Sequence, residues 1–236
     1  MFVKICGITR LEDAEAAVRL GAGAIGFVFW ADSPRSIDPA RARVIVDALP
    51  PAVLKVGVFV NQSVAAVNEI AGLAGLTHVQ LHGDETPAFG AAMTRPVIKA
   101  TSLTIEGSSE LAGWPEETVW LVDAHDRVRR GGTGSTSDWS AAAALARTHR
   151  VWLAGGLAPG NVALAIAEVQ PAGIDVSSGV EQSPGVKDHD KLKALFQAVG
   201  AEPAADHTPS AEREGLRPSA KSLARGGGAP RATEKE

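Results

Sequence analysis

Residues 151–179, VWLAGGLAPGNVALAIAEVQPAGIDVSSG, hold two short apolar runs, each closing on a cluster of small residues. Val151–Ala154 leads into Gly155-Gly156, and Gly173–Val176 leads into Ser177-Ser178-Gly179. A helix opening near Asn161 lies between them. Strand, small-residue turn, helix and strand make a βαβ unit, whose parallel strands are buried on both faces and read as nearly unbroken apolar runs. Backbone N–H groups in such turns can approach an anion closely, and a helix N-terminus beside them favours it.

The same step recurs along the chain. Strand-type runs rich in Val, Ile, Leu and Phe appear at Phe2–Cys6, Ala24–Phe29, Leu54–Val60, His78–Leu81, Val97–Ala100 and Val119–Asp123, ahead of the two already quoted. Helical segments separate them. Thr9-Arg10-Leu11-Glu12 has capping-box spacing, and Asp38-Pro39 reads as an N-cap followed by proline at the first helical position. Leu192, Leu195, Phe196 and Val199 fall at i, i+3, i+4 and i+7, the apolar stripe of a helix. The fifth helix, around residues 105–113, is weakly marked. Eight βα units over about 200 residues predict a single (β/α)8 barrel, with a doubly wound open sheet as its competitor.

The two architectures differ in where polar and glycine-rich chemistry falls: an open sheet uses one switch point, whereas a barrel gathers it after many strands. Here it follows nearly every strand. Cys6-Gly7 follows the first, Ser33-Pro34-Arg35 the second, Asn61 the third and His82-Gly83-Asp84 the fourth. Asp123 ends the sixth, with Gly131-Gly132-Thr133-Gly134 beyond it, and the clusters at 155–156 and 177–179 follow the last two. The barrel is the better reading, and all these residues then meet at one mouth.

Within that mouth the chain's only cysteine, Cys6, is either a small buried filler or a chemical group. Cys6 and Asp123, at the ends of different strands, suit a reaction that removes a proton at one atom and donates one at another. Gly155, Gly156, Ser178 and Gly179 read as a phosphate grip. Arg35 offers a planar fork to a carboxylate, and Asp175, inside a strand, needs a partner or serves substrate hydroxyls. His82 either contributes to the mouth or braces the loop after the fourth strand, with bracing the plainer account. The histidines form no metal-type spacing and no dinucleotide fingerprint appears, so no cofactor and no metal are expected.

The net charge of −4 argues against a nucleic-acid binder, and no apolar run reaches membrane-spanning length. Lys4, Arg10, Glu12 and Asp13 interrupt any signal-like segment near the N-terminus. A cytoplasmic location is expected, with a small phosphorylated molecule as partner and a monomer or homodimer as the assembly. Composition changes near Gly200. Residues 201–236 contain four prolines, a triple glycine and twelve charged residues but only two leucines, too little apolar surface to offset ordering entropy. Residues 1–200 are read as the barrel domain and 201–236 as a disordered polar tail.

The motifs quoted above, together with Val3–Thr9, Gly26–Phe29, Val56–Asn61, Val79–Glu85, Leu153–Leu157, Gly173–Glu181 and Pro184–Asp188 in that order, resemble the phosphoribosylanthranilate isomerase family of tryptophan biosynthesis, a (β/α)8 (TIM) barrel, over about residues 2–199. The resemblance implies an Amadori rearrangement without metal or cofactor. Asp123 would be the general acid that opens the ribose ring, and Cys6 the general base that takes the C2′ proton. Arg35 would hold the anthranilate carboxylate, Asp175 would position the sugar, and the four small residues would hold the phosphate. The run Ser135–Trp139 departs from the family's usual lysine and aromatic before Asp-Trp.

Three other readings stand beside this one. A Schiff-base aldolase, or a decarboxylase barrel, would need a lysine in the mouth; Lys99 is the candidate, with Lys4 and Lys55 too deep or differently aimed. A related sugar isomerase of histidine biosynthesis would use two carboxylates, against which Cys6 argues. The last is a barrel kept as a binding scaffold.

Overall fold

The computed structural model describes residues 1–101, 111–123 and 139–200. The tail at 201–236, the glycine-rich run at 131–134, the departure at 135–138 and most of the weak fifth helix lie outside the described residues.

Eight parallel strands close in sequence order into a barrel: β1 (Phe2–Ile5), β2 (Ala24–Val28), β3 (Leu54–Phe59), β4 (His78–Leu81), β5 (Val97–Thr101), β6 (Val119–Asp123), β7 (Val151–Ala154) and β8 (Gly173–Val176). The sequence-based strands agree with these to within one residue at each end. Closure is made by β1 against β8, with Lys4 opposite Asp175 and Ile5 opposite Val176. Helices α1 (Leu11–Arg19), α2 (Pro39–Ala48), α3 (Val64–Leu73), α4 (Pro87–Ala91), α5 (Trp139–Ala146), α6 (Val162–Val169) and α7 (His189–Val199) follow strands 1, 2, 3, 4, 6, 7 and 8. Between β8 and α7 sit a 3₁₀ turn, Ser178–Val180, and a small antiparallel hairpin of β9 (Glu181–Ser183) and β10 (Val186–Lys187). Among the described residues no helix is long and apolar enough to cross a membrane.

Two local expectations part company at the helix starts. Asp38 caps α2 as its sequence promises, accepting from the N–H groups of Ala40 and Arg41 with Pro39 at the first helical position. The capping box at Thr9–Glu12 does not form. α1 starts at Leu11 behind Arg10, with no side-chain cap. The Thr9 hydroxyl instead donates to the Gly185 carbonyl in the β9–β10 hairpin at 2.6 Å, and Glu12 pairs with Arg10. A long-range tie to the hairpin has replaced the local cap. The α7 stripe is as expected, with Leu192, Leu195 and Phe196 buried and Val199 packed beside them.

Because side chains alternate across a strand, each strand feeds two cores. Val3, Ile5, Ile25, Phe27, Phe59, Val79, Val122, Leu153, Ile174 and Val176 point at the helices in the main cluster. The residues between them point into the lumen. Ala24, Val56, Ile98, Leu121 and Trp152 form its floor, joined by Phe2, whose ring stacks on Trp152 with centroids 4.9 Å apart. Cys6, Val28 and Val58 form a separate cluster nearer the mouth.

Candidate active site

Parity also decides which polar residues share the lumen. On the first strand Phe2, Lys4 and Cys6 lie on one face. By the same alternation Gln80 and His82, Leu121 and Asp123, and Asp175 and Ser177 lie on the lumen side of their strands. Cys6 has left β1 proper but keeps its ladder bond, its N–H donating to the Val176 carbonyl at 2.9 Å. Its thiol lies over β2: a Cβ built on Gly26 would stand 2.8 Å from Sγ, so only glycine leaves room there.

Lys4 is completely buried and its ammonium donates to Asp175 Oδ2 at 2.7 Å and to Gln80 Oε1 at 2.8 Å. Burial opposes its charge, but Asp175, helped by Cys6, holds its pKa above the ordinary lysine value. The second oxygen of Asp175, Oδ1, is buried without a hydrogen-bond partner among the described residues, as is the Ser177 hydroxyl. Buried polar atoms of this kind are normally satisfied, and both lie on the lumen side of the chain at and just after β8. Of its two expected roles, the structure shows the first: Asp175 Oδ2 is partnered by Lys4. For Cys6, burial pushes the thiol up; Lys4 partly offsets this, Asp175 adds to it and Lys187 again offsets it.

Gln80 Nε2 lies 2.9 Å from His82 Nδ1, and His82 Nε2 lies 4.0 Å from Asp123 Oδ2. His82 is thus placed in the mouth next to Asp123, not merely beneath its loop. Bracing of that loop falls to Glu85, which accepts from the N–H groups of Asn61 and Gly83 and from Lys99. Lys99 alternates with the lumen residues Ile98 and Ala100, and its ammonium donates to the Leu81 and Gly83 carbonyls. Lys55 donates to the Pro50 carbonyl. Lys99 is therefore turned away from the lumen, and Lys4, the lumen lysine, is sealed beneath it.

Arg35 does reach the mouth, but its fork is engaged. Nε and Nη2 donate to the Glu181 carboxylate, the shortest contact being 2.6 Å, and Nη1 makes none of these bonds. Glu181 also accepts from Lys187 at 2.9 Å, while Lys187 donates to the Cys6 and Ser177 carbonyls. Against burial, which pushes it up, the bonds from Arg35 and Lys187 hold the Glu181 carboxyl below the usual range. The β9–β10 hairpin therefore ties the loops after β1, β2 and β8 together through one carboxylate.

The turns after β7 and β8 are in contact through Gly179 and Leu157-Ala158. A Cβ on Gly179 would lie 2.0 Å from the Leu157 carbonyl oxygen. Gly155 and Gly156 both have left-handed backbone, with φ of 92° and 62°. Asn161 sits at the start of α6, but its side chain does not cap the helix; it accepts from the Ala158 N–H and donates to the Gly156 carbonyl, fixing the turn after β7. Lys4, Gln80, Glu181 and Lys187 had no role in the sequence-based site. The signal that finds the first two is period two, since each stands two residues before Cys6 or His82.

A closed parallel barrel with a thiol, carboxylates and a guanidinium gathered at the C-terminal ends of its strands is a (β/α)8 enzyme. The N-(5′-phosphoribosyl)anthranilate (PRA) isomerase family model matches residues 3–198. An N-(5′-phosphoribosyl)anthranilate isomerase of Pelobacter propionicus is 48% identical over 195 residues, covering 83% of this chain and 93% of the relative. The phosphoribosyl anthranilate isomerase structure from Thermus thermophilus superposes with a TM-score of 0.76 at 44% identity, covering 85% of this chain and 98% of that one. A solved phosphoribosyl anthranilate isomerase in complex with reduced 1-(o-carboxyphenylamino)-1-deoxyribulose 5-phosphate gives 0.75 at 42% identity, covering 85% and 99%. The chain belongs to the N-(5′-phosphoribosyl)anthranilate isomerase family, and is thereby an isomerase of tryptophan biosynthesis.

Proposed function

We propose that this barrel converts N-(5′-phosphoribosyl)anthranilate to 1-(2-carboxyphenylamino)-1-deoxyribulose 5-phosphate with Asp123 as general acid and Cys6 as general base. The observation that carries the reading is the placement of these two groups on lumen-side positions at the ends of β6 and β1, three strands apart around one mouth. Asp123 gives its proton to the ribose ring oxygen as the C1′–oxygen bond breaks, leaving a Schiff base between C1′ and the anthranilate nitrogen. Cys6 then takes the C2′ proton, and the electron pair moves into the C1′–C2′ bond to neutralise the nitrogen. The enolamine so formed tautomerises to the ketose, and the two side chains return to their starting protonation states.

The remaining candidates position the substrate. The Gly155-Gly156 and Ser178-Gly179 turns, joined where Gly179 meets Leu157, hold the phosphate. Asp175 Oδ1, buried and without a partner among the described residues, accepts from a sugar hydroxyl. Arg35, carried on Glu181, presents Nη1 to the anthranilate carboxylate. A charge-assisted bond of this kind fixes the aromatic end, while the phosphate turns fix the other, and the reacting carbons lie between.

The test is turnover of phosphoribosylanthranilate generated in situ and followed by loss of its fluorescence. Cys6→Ala and Asp123→Asn, each verified as folded by circular dichroism and thermal melting, are expected to lose about 10²–10⁴-fold in kcat. Retention of activity within a few-fold by either folded variant overturns the assigned acid–base pair. The aldolase alternative predicts an enzyme–substrate imine trapped by borohydride; with Lys99 turned outward and Lys4 sealed, no such adduct is expected.

A further inference from the structure

We infer that Lys4 and Gln80 are positioning residues that fix His82 in one tautomer, with its proton on Nε2 and aimed at Asp123. This rests on the general-acid reading of Asp123. Each link follows from what a group can donate or accept. An ammonium carries only donors, so the Gln80 atom facing Lys4 at 2.8 Å must be the carbonyl oxygen. The amide's other end is then its NH2, also only a donor, and it lies 2.9 Å from His82 Nδ1. Nδ1 must therefore be the unprotonated, accepting nitrogen, which places the ring proton of neutral His82 on Nε2. Nε2 is the nitrogen that faces the Asp123 carboxyl, 4.0 Å away.

The same chain opposes a second proton on His82, because an imidazolium would set Nδ1–H against the Gln80 NH2, donor against donor. What this protects is the acid. A fixed positive charge beside Asp123 would favour its carboxylate, the form that cannot donate to the ring oxygen, whereas a neutral N–H facing it from 4.0 Å carries no such bias. Lys4 is well suited to anchor the chain because it has no freedom of its own: it is fully buried and tied to Asp175. Of the charged groups on the neighbouring described elements, Asp123 on β6 faces His82 Nε2 and Lys4 on β1, paired with Asp175, reaches Nδ1 through Gln80, while Lys99 on β5 is paired with Glu85 and Asp84 lies in the loop after β4. Lys99 is spent on carbonyls and Glu85, and Asp84 is bonded to Asn61.

The experiment is ¹⁵N NMR of the ring nitrogens in histidine-labelled full-length protein without substrate, with His82→Gln assigning the signal. At neutral pH His82 is expected to show an unprotonated Nδ1 and a protonated Nε2. A signal with the proton on Nδ1, or on both nitrogens, overturns the proposal. Gln80→Glu is the second arm: its carboxylate accepts from both Lys4 and Nδ1–H, so His82 should become doubly protonated and kcat should fall roughly ten- to a hundredfold. The kcat/KM profile should also move to higher pH, where the extra proton is lost. An unchanged ¹⁵N pattern and profile in folded Gln80→Glu overturn it equally. Failure of the function reading is seen separately, as undiminished turnover in Asp123→Asn with the wild-type His82 tautomer intact.

Discussion

The floor and the mouth of the lumen are cut from the same strands, two residues apart, yet they are opposite in chemistry. On the first strand Phe2 lies in the floor against Trp152, while Lys4 and Cys6, one and two steps of the pleat further along, belong to the layer above it. On β6 Leu121 lies in the floor and Asp123 in the mouth. The floor is held by apolar burial, which is non-directional and tolerant of exchange. The layer above it is held by charge pairs and hydrogen bonds whose members cannot be exchanged singly, because a buried charge left without its partner costs far more than the pair contributes. The barrel therefore keeps its stability and its chemistry in adjoining layers, and a substitution in one should not act like a substitution in the other.

Lys4→Met breaks this contrast most severely, since it strands Asp175 and releases Gln80 together. Loss of one member of a buried pair costs about 3–5 kcal/mol, and activity should fall as well because both the carboxylate proposed to face the sugar and the proposed His82 tether are disturbed. Urea unfolding and turnover measured on the same preparation check both halves. Adding Asp175→Asn to Lys4→Met should recover part of the stability and none of the activity. Recovery of both would mean that the lumen charges are structural only.

Trp152→Ala tests the other side. Its indole N–H has no hydrogen-bond partner among the described residues, so the change removes packing alone, at about 3–5 kcal/mol for a large buried aromatic. Below its lowered melting temperature this variant should keep kcat and KM within a few-fold. A hundredfold loss of kcat in the folded protein would show that the floor dictates the geometry of the mouth and that the two layers are not separable.

How far the chain announced these layers can be argued strand by strand. The barrel is legible because nearly every one of eight apolar runs ends in a polar or glycine-rich group, and Cys6 and Asp123 are legible because they stand at such ends. Lys4 and Gln80 are not, because each sits inside a run whose apolar neighbours dominate the pattern, and only the two-residue alternation separates lumen from outer face. That same alternation turns Lys99 outward, a fact hidden when a strand is read as uniformly buried. Glu181 and Lys187 escaped for a different reason: their partners Arg35 and Cys6 lie 146 and 181 positions away in the chain, and no local spacing encodes that meeting. The misread capping box at Thr9 is the same effect in miniature.

Gly179→Ala moves to the seam between the turns after β7 and β8. An added Cβ would overlap the Leu157 carbonyl, and relief of such a clash by backbone shifts costs about 1–3 kcal/mol. Because the shift separates the two turns assigned to the phosphate, KM should rise and inhibition by inorganic phosphate weaken, with kcat less affected. A stability loss with unchanged KM would remove this seam from the binding site.

The smallest effect should come from Asp38→Ala, at the start of α2 on the outer layer. Its carboxylate satisfies two N–H groups of the first turn, and loss of such a cap costs about 1 kcal/mol. The Asp38 carboxylate and the turnover chemistry share no described contact, so the melting temperature should fall by a few degrees at unchanged kcat and KM. Asp38 caps the helix that follows Arg35 by only four positions, which makes it the sharpest probe of the division between layers. If the cap alone altered KM, the mouth would be borrowing rigidity from the helix N-terminus, and the division would have to be drawn around the Arg35 loop instead of between strand faces.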